Sequence, residues 1–491
     1  IADGSKYFDT KLYTGNGGTQ SVSNLGFSPD FAWIKGRSFS GDHALFDTVR
    51  GATKRLRSNQ TNAENTDTNT LSAFTSDGFT LGSSSAVNLN NGTFAAWAWD
   101  AGSSNTTIAV GGLNSSVYDQ SQTWTSGWVS QATGNSGDTF DGIFGANGQG
   151  GSNYLVWSPA SAVSYSDALG GVEVYTSTNN SGYNNWAYKV NPTSTSYSSS
   201  APSDLSSFIS PYEINSGVQS GWTKISTGDG SLTSVGMWNK NAGESGIYMN
   251  GLKVNGKILV DSGVTPPNVP SIASQVRAQP SAGFSIVSYS GNSTSGATVG
   301  HSLNNKPELI IIKATNSAQG WATYHGSVGA NKYLQLNATG AAASYSGFMN
   351  STEPTTSVFS LGNDNFVNTG SNYIALCFAP VEGYSAMGTY TGNGNADGIF
   401  IYTGFAPSWI LFKRSDSTSD WSIYDTARDP HNVAGDKLEP NTTDTESAQG
   451  AVIDILSNGF KFRRNSLENG GNDVYIYMAF ASHPFNSSRA R

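Results

Sequence analysis

Pro29-Asp-Phe-Ala-Trp-Ile-Lys35 occurs in two further versions in this chain, Pro307-Glu-Leu-Ile-Ile-Ile-Lys313 and Pro407-Ser-Trp-Ile-Leu-Phe-Lys413. In each version a proline opens a run rich in aromatic and β-branched residues, and a lysine stands six residues after it. Short apolar runs of this kind, bounded by glycine, asparagine and serine, are typical of β-strands. The stretch therefore predicts one strand that the chain uses three times.

The residues around this strand recur at matching offsets. A turn sequence precedes each strand, beginning at Tyr13, Tyr289 and Tyr390. An aromatic residue follows each proline by seventeen positions, and a further apolar strand comes later in each copy; these closing strands are Phe94–Trp99, Tyr373–Phe378 and Tyr475–Phe480. Repetition of several offsets predicts one domain used three times, assigned to residues 1–102 (copy 1), 283–382 (copy 2) and 383–491 (copy 3).

The predicted fold class is all-β, with tandem antiparallel, jelly-roll-like β-sandwich domains. Two layers are expected because a single sheet would leave one aromatic face in water. Residues 103–266 differ from the copies and are predicted to form an inserted jelly-roll domain that ends in a hairpin around an Asn-Gly turn. Residues 267–282 hold several prolines and are predicted to be an extended linker.

Composition excludes several classes of protein. Charged residues make up 12% of the chain, the net charge is −9, and no run of lysine or arginine could neutralise phosphates, so nucleic-acid binding is not expected. The aromatic content of 12% argues against disorder. No apolar stretch approaches 18 residues, and the N-terminal residues do not resemble a signal peptide, so we expect no membrane insertion.

The residues that could do chemistry favour structural roles. The only cysteine, Cys377, lies in an apolar run and is predicted to be a core residue. No His-x-x-x-His pair and no Gly-x-Ser-x-Gly turn occurs. Aspartates that a glycosidase could use stand in turn-like contexts, namely Asp138, Asp141, Asp416, Asp420 and Asp425. We therefore expect no catalytic residue, no metal and no cofactor, although loop oxygens leave calcium open.

Two copies share an Asp-Thr-x-Arg motif at the same offset, Asp47 to Arg50 and Asp425 to Arg428, and copy 2 lacks it. A catalytic site seldom recurs at the same position of a repeated scaffold. The motif therefore predicts a structural ion pair or turn within the copy.

Four segments of copy 1 carry a family resemblance: Tyr13-Thr-Gly-Asn-Gly17, Gly26-Phe-Ser-Pro-Asp-Phe-Ala-Trp-Ile-Lys35, Leu45-Phe-Asp-Thr-Val-Arg-Gly-Ala52 and Ser76-Asp-Gly-Phe79. They resemble a module of tail fibres and other virion appendages of marine bacteriophages, notably cyanophages. The inserted region, with Thr139-Phe-Asp-Gly142, looks like the discoidin-like or galactose-binding-like domains of the same proteins. The resemblance implies a virion structural protein, a homotrimer that contacts other tail or capsid proteins.

Adhesion to host cell-surface polysaccharide or lipopolysaccharide, without catalysis, is the expected function. Two alternatives stay open: a purely structural capsid or tail component, and a tailspike that depolymerises polysaccharide. Sugar rings stack on aromatic side chains while amides bond their hydroxyls. The inserted region carries aromatic residues outside the pattern that the copies share, so the predicted glycan-binding residues are Tyr183, Asn184, Asn185 and Trp186.

Overall fold

The computed structural model describes residue 1 and residues 3–112, 117–128, 139–143, 154–176, 186–196, 198, 200, 202–209, 221–239, 249–264, 266 and 268–481. It is nearly all β, which confirms the predicted fold class. Helical segments of the described chain are one turn long: Gly4–Lys6, Ser85–Asn88, Trp124–Gly127, Asp167–Leu169, Leu205–Ser207, Pro280–Ala282, Ser346–Met349 and Leu467–Asn469. Two compact units form, one from residues 1–112 and 270–491 and the other from residues 113–269.

The three copies lie together in the first unit and share one topology. In each copy four antiparallel strands form an inner sheet in the same spatial order, and in copy 2 this sheet continues to eight strands. The shared inner strands are Phe8–Thr14, Thr93–Trp99, Phe31–Gly36 and Ala44–Asp47 in copy 1; Phe284–Ser290, Asn372–Phe378, Leu309–Ala314 and Ala322–His325 in copy 2; and Ser385–Thr391, Val474–Phe480, Trp409–Arg414 and Trp421–Asp425 in copy 3.

An outer sheet covers one face of each inner sheet. The outer strands are Gln20–Val22, Gly78–Leu81 and Leu71–Thr75 in copy 1; Ala297–Gly300 and Val358–Leu361 in copy 2; and Phe400–Tyr402, Gly459–Phe462, Ser447–Leu456 and Ala434–Lys437 in copy 3. Copy 1 also has a short hairpin of Lys54–Arg55 and Asn65–Thr66, and Lys332–Gln335 with Ala343–Ser344 extends the inner sheet of copy 2.

The predicted linker differs from the structure. Ser274–Gln279 is a strand that pairs on one side with Phe284–Ser290 and on the other with Thr106–Ile108, so the inner sheet of copy 2 continues across it. Pairing on both sides is possible because the prolines of the predicted linker lie outside this strand. The second unit begins at residue 113, later than the predicted boundary at 103.

Each inner sheet is buried on both faces, as the strand Phe31–Gly36 illustrates. Ala32 and Ile34 pack against the outer sheet in a core that belongs to copy 1 alone. Phe31 and Trp33 point the opposite way, as alternate residues of a strand must, into a second core built by all three copies. We call this second core the central core; copies 2 and 3 likewise have cores of their own.

Equivalent aromatic residues meet in the middle of the central core. Trp99, Phe378 and Phe480 occupy the same position of the three closing strands. Their ring centroids form a triangle with separations of 6.3 Å for Trp99–Phe378, 5.9 Å for Trp99–Phe480 and 6.0 Å for Phe378–Phe480. The three copies are therefore arranged around a pseudo-threefold axis that passes through this triangle.

The lysine that ends each repeated strand links its copy to a neighbour. Every Nζ donates to the carbonyl of the next residue in sequence and to a threonine carbonyl of another copy: Lys35 to Thr443 at 3.3 Å, Lys313 to Thr61 at 3.2 Å and Lys413 to Thr339 at 3.1 Å. These contacts form a closed cycle through the three copies. Burial lowers the pKa of each ammonium to about 8.

A second cyclic contact starts eight residues after each lysine. Trp321 Nε1 donates to the carbonyl of Arg57 at 2.8 Å, and Trp421 Nε1 donates to that of Gln335 at 3.0 Å. Copy 1 has His43 at this position, and its Nε2 lies 3.0 Å from the carbonyl oxygen of Glu439.

The hydrogen bonds of His43 define its tautomer. Trp33 Nε1 lies 2.9 Å from His43 Nδ1, and an indole nitrogen can only donate. Nδ1 is therefore the unprotonated acceptor, and Nε2 carries the hydrogen that is donated to Glu439. Copies 2 and 3 have the aliphatic residues Ile311 and Leu411 in place of Trp33. An aliphatic side chain donates no hydrogen bond, so the residue that replaces His43 in these copies can be a tryptophan, which has no acceptor atom.

The Asp-Thr-x-Arg motifs form ion pairs within their copies, as predicted. Arg50 Nε lies 2.5 Å from Asp47 Oδ2, and its Nη1 lies 2.9 Å from Glu64 Oε2. Arg428 makes the matching contacts to Asp425 at 2.6 Å and Glu446 at 3.0 Å. Copy 2 carries uncharged or apolar residues at all three positions, namely His325, Val328 and Ala342. The charges of this network are therefore present together or absent together.

The second unit is a separate two-layer β structure. One sheet contains Tyr118–Asp119, Lys257–Leu259, Met249–Val254, Val172–Thr176 and Gly221–Lys224; a second contains Tyr154–Trp157, Val235–Asn239 and Trp186–Val190; and Val163–Tyr165 pairs with Gly230–Leu232. The first two sheets enclose a core that includes Trp124 and Trp157. The predicted hairpin is confirmed, with Asn255 and Gly256 at positive φ in its two-residue turn.

Cys377 has the predicted structural role. Its side chain is completely buried in the core of copy 2. Burial in these apolar surroundings raises the pKa of the thiol, which disfavours the reactive thiolate.

Candidate functional site

The four predicted glycan-binding residues directly precede or begin the strand Trp186–Val190. Tyr183, Asn184 and Asn185 lie outside the described residues. Trp186 is the first residue of the strand Trp186–Val190, where its backbone is in register with Asn239. Sugar contacts of these four residues stay a prediction.

Two aromatic side chains lie together on the five-stranded sheet of the same unit. The strand Val172–Thr176, which leads toward the predicted loop in sequence, points Val172 and Val174 into the core. Tyr175 belongs to the opposite face by alternation, and Trp222 of the edge strand stands directly opposite it. The two rings are 5.3 Å apart and inclined at 69°, and both side chains are half-buried.

Charged side chains border these rings. Lys253 Nζ lies 3.9 Å above the centre of the Trp222 ring, a cation–π contact. Lys253 is also in register with Glu173. Partial burial lowers the pKa of the Lys253 ammonium, and the Glu173 carboxylate opposes that shift. We call Tyr175, Trp222, Lys253 and Glu173 the ring shelf.

The ring shelf combines the groups that recognise a sugar. Half-exposed aromatic rings offer a surface for the C–H face of a pyranose, and the ammonium and carboxylate groups can donate to and accept from its hydroxyls. The residues in register with Glu173 on the two neighbouring strands are Lys224 and Lys253.

The aspartates considered for glycosidase chemistry serve structural contacts where they are described. Asp425 is buried against Arg428, and Asp416 pairs with Arg414 at 2.8 Å. Asp420 accepts a hydrogen bond from Asn441 Nδ2, and Asp141 accepts one from the backbone N–H of Ile143. Asp138 lies outside the described residues. The predicted turn and structural roles fit these contacts.

The described part of the chain contains neither a cluster of metal-ligating side chains nor a membrane-spanning helix. Among these residues, no cluster of three or more histidine, cysteine, aspartate or glutamate side chains could hold a metal ion. None of the helices in the same ranges is long and apolar enough to cross a membrane.

The sequence indicates the residues of the ring shelf separately but does not predict that they lie together. The stretch Gly221-Trp-Thr-Lys-Ile225 combines aromatic and polar residues, and Gly171-Val-Glu-Val-Tyr175 has the composition of a strand. Nothing in the sequence indicated that these strands are neighbours, because pairing of distant strands leaves no local signature. Alternation alone would have placed Tyr175 and Glu173 on the solvent side.

Comparisons with curated proteins and with solved structures found no match. A family model described as "Domain of unknown function (DUF7483)" matches residues 3–146 and 259–484, and it leaves out residues 147–258, which contain the ring shelf. Since the matched ranges cover more than half of the chain, the protein belongs to the DUF7483 family.

Proposed function

We propose that the protein is a non-catalytic adhesion protein of a phage virion, in a tail fibre or surface appendage, that binds host polysaccharide or lipopolysaccharide. The observation that carries this proposal is the ring shelf, with Tyr175 and Trp222 5.3 Å apart on an outward sheet face. Its position supports a ligand role, because the rings lie outside the core of their unit.

Two further observations bear on this proposal. The shelf falls in the stretch that the family match leaves out, so it is an addition to the part of the chain shared with the family. Many charged groups of the three copies make structural contacts, since the lysine cycle links the copies and the buried arginine pairs lie within copies 1 and 3. These contacts fit a structural role for the groups that make them.

The expected assembly stays part of the proposal. Other tail or capsid proteins would anchor the chain, and a homotrimer would multiply weak sugar contacts through avidity. Much of the aromatic surface of the three copies is already buried in the central core of a single chain. A homotrimer would therefore have to use other surfaces.

Binding to intact cyanobacterial cells and to an array of bacterial oligosaccharides tests the function. We expect the double variant Trp222→Ala and Tyr175→Ala to bind about tenfold more weakly, since roughly 1.4 kcal/mol of stacking would be lost. Its melting temperature should stay the same, because both side chains lie outside the core. Lys257→Ala, an exposed change on the same sheet, is the matched control.

The alternatives give different results in the same experiment. Release of new reducing ends from host polysaccharide would identify a depolymerase. Absence of any binding to cells or oligosaccharides by the intact protein would favour the purely structural component.

A further inference from the structure

Two exposed aromatic rings stand on the outer sheet of copy 3. Phe400 and Tyr402 are 45% and 68% exposed, and they flank the buried Ile401 on the edge strand Phe400–Tyr402. Alternation along the strand places both rings on the solvent face while Ile401 enters the core. The Phe400 ring also lies over Gly459 of the next strand, where a Cβ would come within 2.9 Å of it. This contact positions the Phe400 ring, but it does not account for Tyr402.

The other two copies provide an internal comparison for this strand. Ile401 pairs with Phe460, and the equivalent pairs are Val22 with Phe79 and Val299 with Phe359. The inward position is therefore apolar in every copy. The flanking outward positions carry only small residues in copies 1 and 2: Ser21, Ser23, Thr298 and Gly300. The sandwich consequently does not need aromatic residues here, and copy 3 alone has acquired them.

The charged residues beside the rings follow the same pattern. Asp397 lies 2.7 Å from Lys461 Nζ, and Arg463 Nε lies 2.5 Å from Asp454. Lys461 stands in register with Phe400. The positions of Lys461 and Arg463 hold small residues in copies 1 and 2: Thr80, Gly82, Ser360 and Gly362. Rings and charges thus occur together in copy 3 and are missing together elsewhere.

We propose that Phe400, Tyr402, Lys461, Arg463 and Asp397, the aromatic patch, bind a neutral hexopyranose unit of the host glycan. This inference rests on the adhesion function proposed above and adds a second sugar site to it. Exposed rings match the C–H faces of a pyranose, and the adjoining carboxylate, ammonium and guanidinium groups match its hydroxyls.

Charge decides between classes of sugar. The two basic side chains of the patch are balanced by Asp397 and Asp454. No net positive charge is left to attract a phosphate or a uronic acid, so an uncharged sugar is the ligand that fits. A second copy of the chain is the competing occupant, since an exposed aromatic pair could also form a contact between chains.

The test uses the full chain and an array of neutral and acidic bacterial oligosaccharides. The variant Phe400→Ser with Tyr402→Ser gives copy 3 the residues of copy 1, Ser21 and Ser23, which the same fold accepts. We expect its binding to neutral hexose oligosaccharides to fall at least tenfold at an unchanged melting temperature. Lys461→Thr with Arg463→Gly should weaken the same sugars, and Ser21→Ala with Ser23→Ala is the matched control.

Each other result overturns the inference in a distinguishable way. If the serine variant binds like the parent while Trp222→Ala with Tyr175→Ala does not, adhesion stands and the patch is not a sugar site. Binding restricted to acidic sugars excludes the neutral ligand. If light scattering shows that the serine variant dissociates an oligomer, the patch is a contact between chains. A parent chain that binds no oligosaccharide and no cell contradicts the adhesion function as well.

Discussion

At the scale of single residues, Arg50 and Arg428 form buried ion pairs within their own copies. Their side chains are almost completely buried, and each faces two acidic partners. Desolvating such a group is costly, and only good geometry with every partner present offsets that cost. Copy 2 has replaced the arginine and both acids, and it folds with the same strand order. The fold therefore accepts either the charged network of copies 1 and 3 or the uncharged residues of copy 2 at these positions.

The first prediction concerns the loss of one member of this network. Arg50→Val should lower the free energy of unfolding by about 3–5 kcal/mol, because the buried Asp47 carboxylate would lose its counter-ion and the half-buried Glu64 would keep only Lys54. Chemical denaturation monitored by tryptophan fluorescence measures this difference.

The matching control transfers the uncharged solution from copy 2. Asp47→His, Arg50→Val and Glu64→Ala together reproduce His325, Val328 and Ala342 in copy 1. This triple variant should be more stable than Arg50→Val alone, although it carries more substitutions. A triple variant less stable than the single one would mean that the charges do not act as a unit.

At the scale of elements, the repeated strands were predictable and their surroundings were not. The continuous apolar run of Phe31–Gly36 is typical of a strand buried on both faces. The sequence could not say that one face packs within copy 1 while the other packs on copies 2 and 3. The strand Ser274–Gln279 was not predicted, because the prolines on either side of it indicated an extended linker. Tyr175 and Trp222 were separately visible, but their adjacency depends on the pairing of distant strands.

The second prediction uses His43 at the contact between copies 1 and 3. Burial lowers the pKa of His43 below its ordinary value of 6.5, so the folded protein binds fewer protons than the unfolded chain in mild acid. Its contribution to stability is complete above pH 6.5 and is lost as the pH falls. A proton on Nδ1 would also remove the acceptor of the Trp33 hydrogen bond. At pH 5 we therefore expect this residue to contribute less to stability than at pH 7.

A double variant isolates this contribution. Trp33→Leu with His43→Trp gives copy 1 the pair found in copy 3, Leu411 and Trp421, which has no histidine. Between pH 7 and pH 5 the double variant should lose less stability than the parent. The parent also contains His301 and His325, whose pKa values burial lowers to about 4, so some acid sensitivity persists.

The exposed His431 supplies the control for pH dependence. His431→Gln should follow the parent at every pH. Equal acid sensitivity in the parent and in the Trp33, His43 double variant would show that His43 is not the residue that responds.

At the scale of the whole molecule, one chain forms the threefold arrangement that a symmetric trimer builds from three chains. Identical subunits must carry the same residues at every equivalent position. Three copies within one chain are free to differ, and here they do: copy 1 has His43, copy 2 lacks the arginine network, and copy 3 carries the aromatic patch. Shared positions therefore report on folding, and positions that depart from the pattern indicate individual roles.

The likeness of the three copies also explains which parts of the fold could be predicted from the sequence. Offsets shared by three copies identified the repeat without any homologue, because the central core imposes the same demands on each copy. The central core itself was not foreseen, and the copies were expected to behave as tandem domains. Contacts such as that between Lys35 and Thr443 join residues too distant in sequence for periodicity to reveal.

Hydrogen exchange across the three copies of a Trp99→Ala variant tests most directly whether they share one core. Trp99 belongs to copy 1 but contacts Phe378 and Phe480, and its loss should cost about 3–5 kcal/mol. If one cooperative unit exists, amide protection in Phe31–Gly36, Leu309–Ala314 and Trp409–Arg414 will fall by the same factor. Faster exchange confined to Phe31–Gly36, with the strands of copies 2 and 3 unaffected, would contradict a shared central core.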